Sequence, residues 1–156
     1  MLLEGSCHCQ AVTFSVKSHH PYPFNRCYCS VCRKTAGGGG YAINLGADNK
    51  TLSVSGEEHI SIYRALINGE RSTGERHFCK RCASALWVYD PDWPELVHPF
   101  ASAIDTPLPS PPELTHMMLG SKAAWVEVNA QAHDKCFVAY PAESLAEWHQ
   151  RLGLER

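Results

Sequence analysis

No run of about 18 apolar residues occurs in this 156-residue chain, so no transmembrane helix is expected. Charge of one sign is equally scarce: 14 Lys and Arg against 16 Asp and Glu leave a formal net charge of -2. That balance offers nothing to nucleic acid or an anionic membrane, and Arg33-Lys34 and Lys80-Arg81 read as short charge pairs on a solvated surface. Met1 to Gly5 leaves no room before Cys7 for the charged and apolar regions of a secretory signal, which makes a cytoplasmic location the expectation. No pair of the nine histidines has zinc-peptidase spacing, and Gly37 to Gly40 lacks the Lys-Ser/Thr ending of a phosphate loop. With no low-complexity tract and no change of composition, residues 1–156 are expected to form a single domain large enough to bury its own core.

What the chain does have is cysteine. Seven of its eight cysteines fall in three bursts: Cys7-His8-Cys9, Cys27-Tyr28-Cys29-Ser30-Val31-Cys32 and Cys79-Lys80-Arg81-Cys82. In a reducing compartment, short spacings of this kind point to metal or catalysis more than to a disulfide framework. A secreted, disulfide-stapled domain is disfavoured by the missing signal and by the size of the chain. A thioredoxin-like redox pair at Cys29 and Cys32 is disfavoured by the adjacent Cys27 and by the lack of a βαβ pattern.

Ligand counting divides the bursts. A closed zinc site takes four ligands, and Cys-x-x-Cys pairs at hairpin tips are its commonest halves; Cys7 and Cys9 with Cys79 and Cys82 complete one. Because the side chains of Cys-x-Cys point apart on an extended strand, the backbone has to bend there, and Gly5-Ser6 is the expected bend. Cys27, Cys29 and Cys32 remain. Three ligands leave a fourth position for water or substrate, the mark of a catalytic zinc. Three thiolates also leave a divalent ion less negative than four do, and so a better Lewis acid. Cys136, beside Phe137 and Val138, reads as a small buried hydrophobe. His8 lies between two ligands and His77 two residues before Cys79, each placed to donate a hydrogen bond to a thiolate.

Periodicity predicts mostly strands. Ala11 to Val16 alternates, with Val12, Phe14 and Val16 expected to face the core. Further strands are expected at Tyr41 to Leu45, Thr51 to Ser55, His59 to Arg64, Glu75 to Phe78, Ala85 to Tyr89, Val97 to Ile104 and Cys136 to Tyr140, forming an antiparallel sheet. Strand, cysteine knuckle, strand around Cys79 and Cys82 is the form of a zinc ribbon. His19 to Pro23, Gly37 to Gly40 and the proline-rich Asp105 to Pro112 read as loops. A helix is expected over Glu143 to Leu152, with Leu145, Trp148 and Leu152 on its inner face.

Gly5-Ser6-Cys7-His8-Cys9, Cys27 to Lys34, Phe78 to Cys82 and Lys122 to Val128 together resemble the glutathione-dependent formaldehyde-activating enzyme family, which also includes the centromere protein V domain. The likeness runs from Gly5 to about Val128. It implies a mainly antiparallel, zinc-bound β fold of the Mss4-like type, here with a short C-terminal helix. It also implies two zinc ions: a structural one at Cys7, Cys9, Cys79 and Cys82, and a catalytic one at Cys27, Cys29 and Cys32. The implied activity is that of a carbon-sulfur lyase like S-(hydroxymethyl)glutathione synthase, joining or parting a glutathione-like thiol and a small aldehyde. The alternative is a zinc-stabilised binding module without catalysis, for which this chain lacks the basic extension. Gln10 and Ala83 stand where the family commonly has glycine, and Ala124 where it commonly has proline.

Overall fold

A computed structural model describes residues 1–154. The chain opens with a hairpin of β1 (Leu2–Ser6) and β2 (Thr13–Lys17), paired antiparallel from Leu2 opposite Lys17 to Ser6 opposite Thr13. The alternation in β2 works as its pattern requires: Phe14 and Val16 are buried, as is Val12 just before the strand. Beyond the proline loop come β3 (Phe24–Cys27), the short helix α1 (Ser30–Ala36), β4 (Ala42–Asn44), β5 (Ala47–Asp48), β6 (Ser53–Ser55) and β7 (Ile60–Tyr63). A small hairpin of β8 (Leu66–Ile67) and β9 (Glu70–Arg71) turns at Asn68-Gly69, both with positive φ. Then follow β10 (Glu75–Cys79), β11 (Ala85–Tyr89), β12 (Leu96–Pro99), β13 (Leu114–Met117), β14 (Lys135–Cys136) and the helix α2 (Leu145–Arg151).

These strands form three sheets besides the small hairpin, in the orders β1-β2-β6, β5-β12-β11-β10-β7 and β14-β13-β3-β4. The five-stranded sheet packs its Leu86, Trp87 and Val97 against Leu3, Phe14 and Val16 of the first sheet, with the Phe14 and Trp87 rings edge to face at 5.0 Å. A second, smaller cluster of Cys27, Cys32, Ala42 and Phe100 sits under α1. The fold is therefore mainly antiparallel β with two short helices. Among the described residues no helix is long and apolar enough to cross a membrane.

Several expectations are corrected in detail. Pairing is not antiparallel throughout, because β13 runs parallel to both β3 and β14. Long connections precede each of these pairings, and long connections are what parallel neighbours need. The strand expected over Val97 to Ile104 stops at Pro99, which has no N–H for the ladder, and Ala101–Ala103 form a 3-10 turn. The strand expected over Cys136 to Tyr140 is only Lys135–Cys136, and Cys136 is exposed instead of buried. β1 escaped the strand pattern because only Leu3 and Gly5 of its five residues are buried.

α2 follows its apolar stripe. Trp148 is 2% exposed, and Leu145 and Leu152 are half-buried on the same side. Ser144 and Glu147 close a reciprocal capping box at its start. The helix is then tied to the body of the protein by polar contacts. Trp148 Nε1 donates to Glu113 Oε1 at 3.1 Å, and Arg151 donates to both oxygens of Glu113 and both of Glu143.

Candidate metal centre

The first cysteine pair lies where the β1–β2 hairpin turns. Gly5-Ser6 is not the bend expected there, since both residues belong to β1; the chain bends at Cys7 to Gln10, with Gln10 N donating to Cys7 O at 3.1 Å. Gln10 takes φ 64, and Ala83, just past the second pair, takes φ 65. The two knuckles thus share a left-handed residue directly after the second cysteine, a conformation that favours glycine. β10 ends on Cys79, and the turn to β11 presents Cys82.

The four sulfurs of Cys7, Cys9, Cys79 and Cys82 lie within 4.8 Å of one another. Cys7 and Cys9 are 3.6 Å apart at sulfur, and Cys9 and Cys79 3.8 Å. Zinc–thiolate bonds of about 2.3 Å in a tetrahedron place neighbouring sulfurs about 3.8 Å apart, so this donor set fits the ion. Neutral groups hydrogen-bond the sulfurs. Val12 N–H donates to Cys7 Sγ at 3.3 Å; Ser84, whose oxygen accepts His8 N–H, turns its own proton to Cys82 Sγ at 3.2 Å. The Ser84 hydroxyl brings Cys82 down to about 5.

The middle burst folds into a second cluster. Cys27 ends β3, Cys29 caps α1 by accepting Cys32 N–H at 3.3 Å, and Cys32 sits in the first helical turn. Their three sulfurs also lie within 4.8 Å of one another. Cys27 and Cys32 are buried and Cys29 is partly open to solvent. The Cys27 thiol, then that of Cys32, donates to Cys29 and holds it down at about 2, while the same sharing pushes Cys27 up. A set of three convergent thiols, one of them on a partly exposed residue, has the composition of an open zinc site. Among the described residues these are the two groups able to hold a metal, and no disulfide links any cysteine.

Around this triplet lie residues that no local pattern in the sequence singles out. Arg76, on β10, donates from Nη2 to Cys32 Sγ at 3.5 Å and from Nη1 to Thr35 Oγ1 at 3.3 Å. Tyr28, between Cys27 and Cys29, is buried with its hydroxyl 2.9 Å from His116 Nδ1. His116 Nε2 is buried 3.5 Å from Asp134 Oδ2 without a hydrogen bond to it, so the His116 tautomer sets whether Nδ1 or the Tyr28 hydroxyl donates. Asp134 in turn accepts the backbone N–H groups of Leu114 and Gln131. The two histidines expected to serve thiolates do not do so through their rings. His77 stacks on Trp87 at 5.1 Å with Nδ1 on Glu75 O, and of His8 only the backbone N–H reaches the first cluster, through Ser84.

A family model described as glutathione-dependent formaldehyde-activating enzyme matches residues 2–120, which takes in all seven clustered cysteines. The chain belongs to this family. A Halomonas elongata protein, provisionally named a glutathione-dependent formaldehyde-activating enzyme, is 71% identical over 155 residues, covering 99% of each chain. Among solved structures, a Rhodobacter sphaeroides protein determined as a structural genomics target is similar with a TM-score of 0.54. It is 27% identical, and the match covers 68% of this chain and 91% of that one.

Proposed function

We propose that this single-domain protein is a zinc-dependent carbon-sulfur lyase of the S-(hydroxymethyl)glutathione synthase kind, joining glutathione and formaldehyde or a similar small aldehyde. The family match and the name of the Halomonas elongata relative support the substrate class. The observation that carries the reading is the three-sulfur cluster of Cys27, Cys29 and Cys32, one donor short of a tetrahedron and open at Cys29. Cys7, Cys9, Cys79 and Cys82 would hold a structural zinc, and Cys27, Cys29 and Cys32 a catalytic one. An ion bound there supplies an electrophilic position at which a thiol gives up its proton near neutral pH.

The chain's own residues supply the rest. Cys27 and Cys32 fix the cluster from within the core, and Cys29 turns its outer side to the entering thiol. The reaction balances without an oxidant: the thiol S–H bond breaks and sulfur bonds to the carbonyl carbon. The C=O π pair moves to oxygen, which takes up a proton to give the hydroxymethyl adduct. Because the protein needs only small molecules for this, its proposed partners are a thiol and an aldehyde.

The test is direct. Zinc per chain is expected to be two, and cobalt substituted at the open cluster should change its thiolate absorption on addition of glutathione. Cys29→Ser should lose thiol-dependent adduct formation while the four-cysteine metal stays. Undiminished turnover in that variant would sink the proposal.

A further inference from the structure

The two clusters differ in what faces their sulfurs. The four-cysteine cluster receives hydrogen bonds from an amide and a hydroxyl, both neutral. The three-cysteine cluster receives a guanidinium, that of Arg76, at Cys32 Sγ. This cation is not spent elsewhere. Among the described residues no carboxylate lies within ion-pair distance of Arg76, and its sequence neighbour Glu75 is engaged by Arg64 at 2.9 Å. Its backbone is held on both sides, paired with Val88 on β11 and Tyr63 on β7, so the side chain starts from a fixed point between two neighbouring strands.

Arg76 also borders open space. It lines a cavity of about 250 Å³ with Thr35, Tyr63, Phe78, Ala85 and Phe100, and Phe100 packs directly into the cluster of Cys27 and Cys32. The cavity walls are mostly apolar, and Arg76 is the one Lys, Arg, Asp or Glu side chain on them. An anionic sulfur approaching the triplet beside Cys32 would meet this charge in a partly water-excluded corner, where a charge-assisted hydrogen bond is strong.

We propose that Arg76 is the positioning residue of the three-cysteine cluster, a fixed cation that offsets its thiolate charge and so lets a further, anionic thiolate join it. The inference rests on the reading of that cluster as the open, reactive one. Simple charge counting gives the reason. Three thiolates on a divalent ion carry one net negative charge; with Arg76 beside them the assembly is neutral, and a fourth thiolate brings it back only to one. Without Arg76 the fourth thiolate would leave two, the charge of the closed cluster, which has no reason to react. Arg76 acts through Cys32 and the entering sulfur; it exchanges no proton.

Binding measurements test this without relying on turnover. In the full chain loaded with cobalt, Arg76→Gln is expected to make one of two metals at least about tenfold easier to remove with a chelator, the other remaining unchanged. Its thiolate band should need at least about tenfold more glutathione for the same response. Arg76→Lys, which keeps the charge but not the fork, should restore most of the glutathione response. Loss of both metals alike from Arg76→Gln would mean that the residue merely supports β10, and would overturn the assignment, as would unchanged affinity for metal and thiol. If the unmodified protein binds two metals but ignores glutathione, the proposed function fails. The chelator measurement then still decides whether Arg76 serves the triplet.

Discussion

At the scale of single residues, the knuckle positions are where the chain carries strain. Ala83 holds φ 65 directly after Cys82, and a side chain in the left-handed region costs on the order of 1 kcal/mol. Ala83→Gly removes the Cβ, so it should raise the stability of the metal-loaded protein by about 0.5–1 kcal/mol, read as a higher unfolding midpoint. A lower midpoint would show that the Ala83 methyl matters more in packing than in backbone strain. The sequence displayed this position clearly, since cysteine spacing marks the knuckles and a glycine is the ordinary residue there. It did not display Arg76, Tyr28, His116 or Asp134. Each meets its partner across long separations, Tyr28 and His116 by 88 residues and Arg76 and Cys32 by 44, and local pattern has no term for such distances. Cys136 misled for the opposite reason: apolar neighbours in sequence do not make a buried site, and β14 lies at the edge of its sheet.

At the scale of elements, α2 is fastened by one ring and one acid. Glu113 is buried and accepts Trp148 Nε1 as well as two donors of Arg151. Trp148→Ala removes a ring that is 2% exposed and deprives Glu113 of a donor, so it is expected to cost about 3–5 kcal/mol in denaturant unfolding. The cysteine clusters are built by other elements, so the variant should still bind metal in the wild-type ratio. Loss of metal would show that α2 props up a cluster after all. This helix was legible because its apolar stripe recurs at helical spacing, and so were β2, β10 and β11, whose alternation or cysteine knuckle is local. β1 and the parallel partner of β3 were not legible. One is too short of apolar residues to show a pattern, and the other is chosen by the path of the chain between Thr35 and Glu113.

Across the whole molecule, acid should act in two stages. Burial lowers His98, despite the backbone oxygen of Leu45 that its ring donates to, and burial likewise lowers His116. Both therefore bind protons more readily when unfolded. Their contribution is full above the ordinary imidazole value of about 6.5 and is lost as pH falls through the lower folded values. Glu113 is held below the carboxylate range by Arg151, and Asp134 by the N–H groups of Leu114 and Gln131 in spite of burial. Their share is present above about pH 4 and disappears below it as they protonate. Unfolding free energy should thus begin to decline below about pH 6.5, and His98→Gln should flatten that first decline. An unchanged slope in the variant would exclude His98 as a source.

The closed cluster joins Cys7 and Cys9 to Cys79 and Cys82, while all three sulfurs of the open cluster come from residues 27–32. As the chain leaves the ribosome, the second set is complete long before the first can close. The three-cysteine cluster could therefore take up an ion from a short emerged segment, whereas the four-cysteine cluster must wait until β10 and its turn have been made. If both clusters bind zinc as proposed, order of synthesis would favour loading the three-cysteine cluster first. On the proposed reading the ion of the four-cysteine cluster would bind last, once β10, which carries both Cys79 and Arg76, has been made.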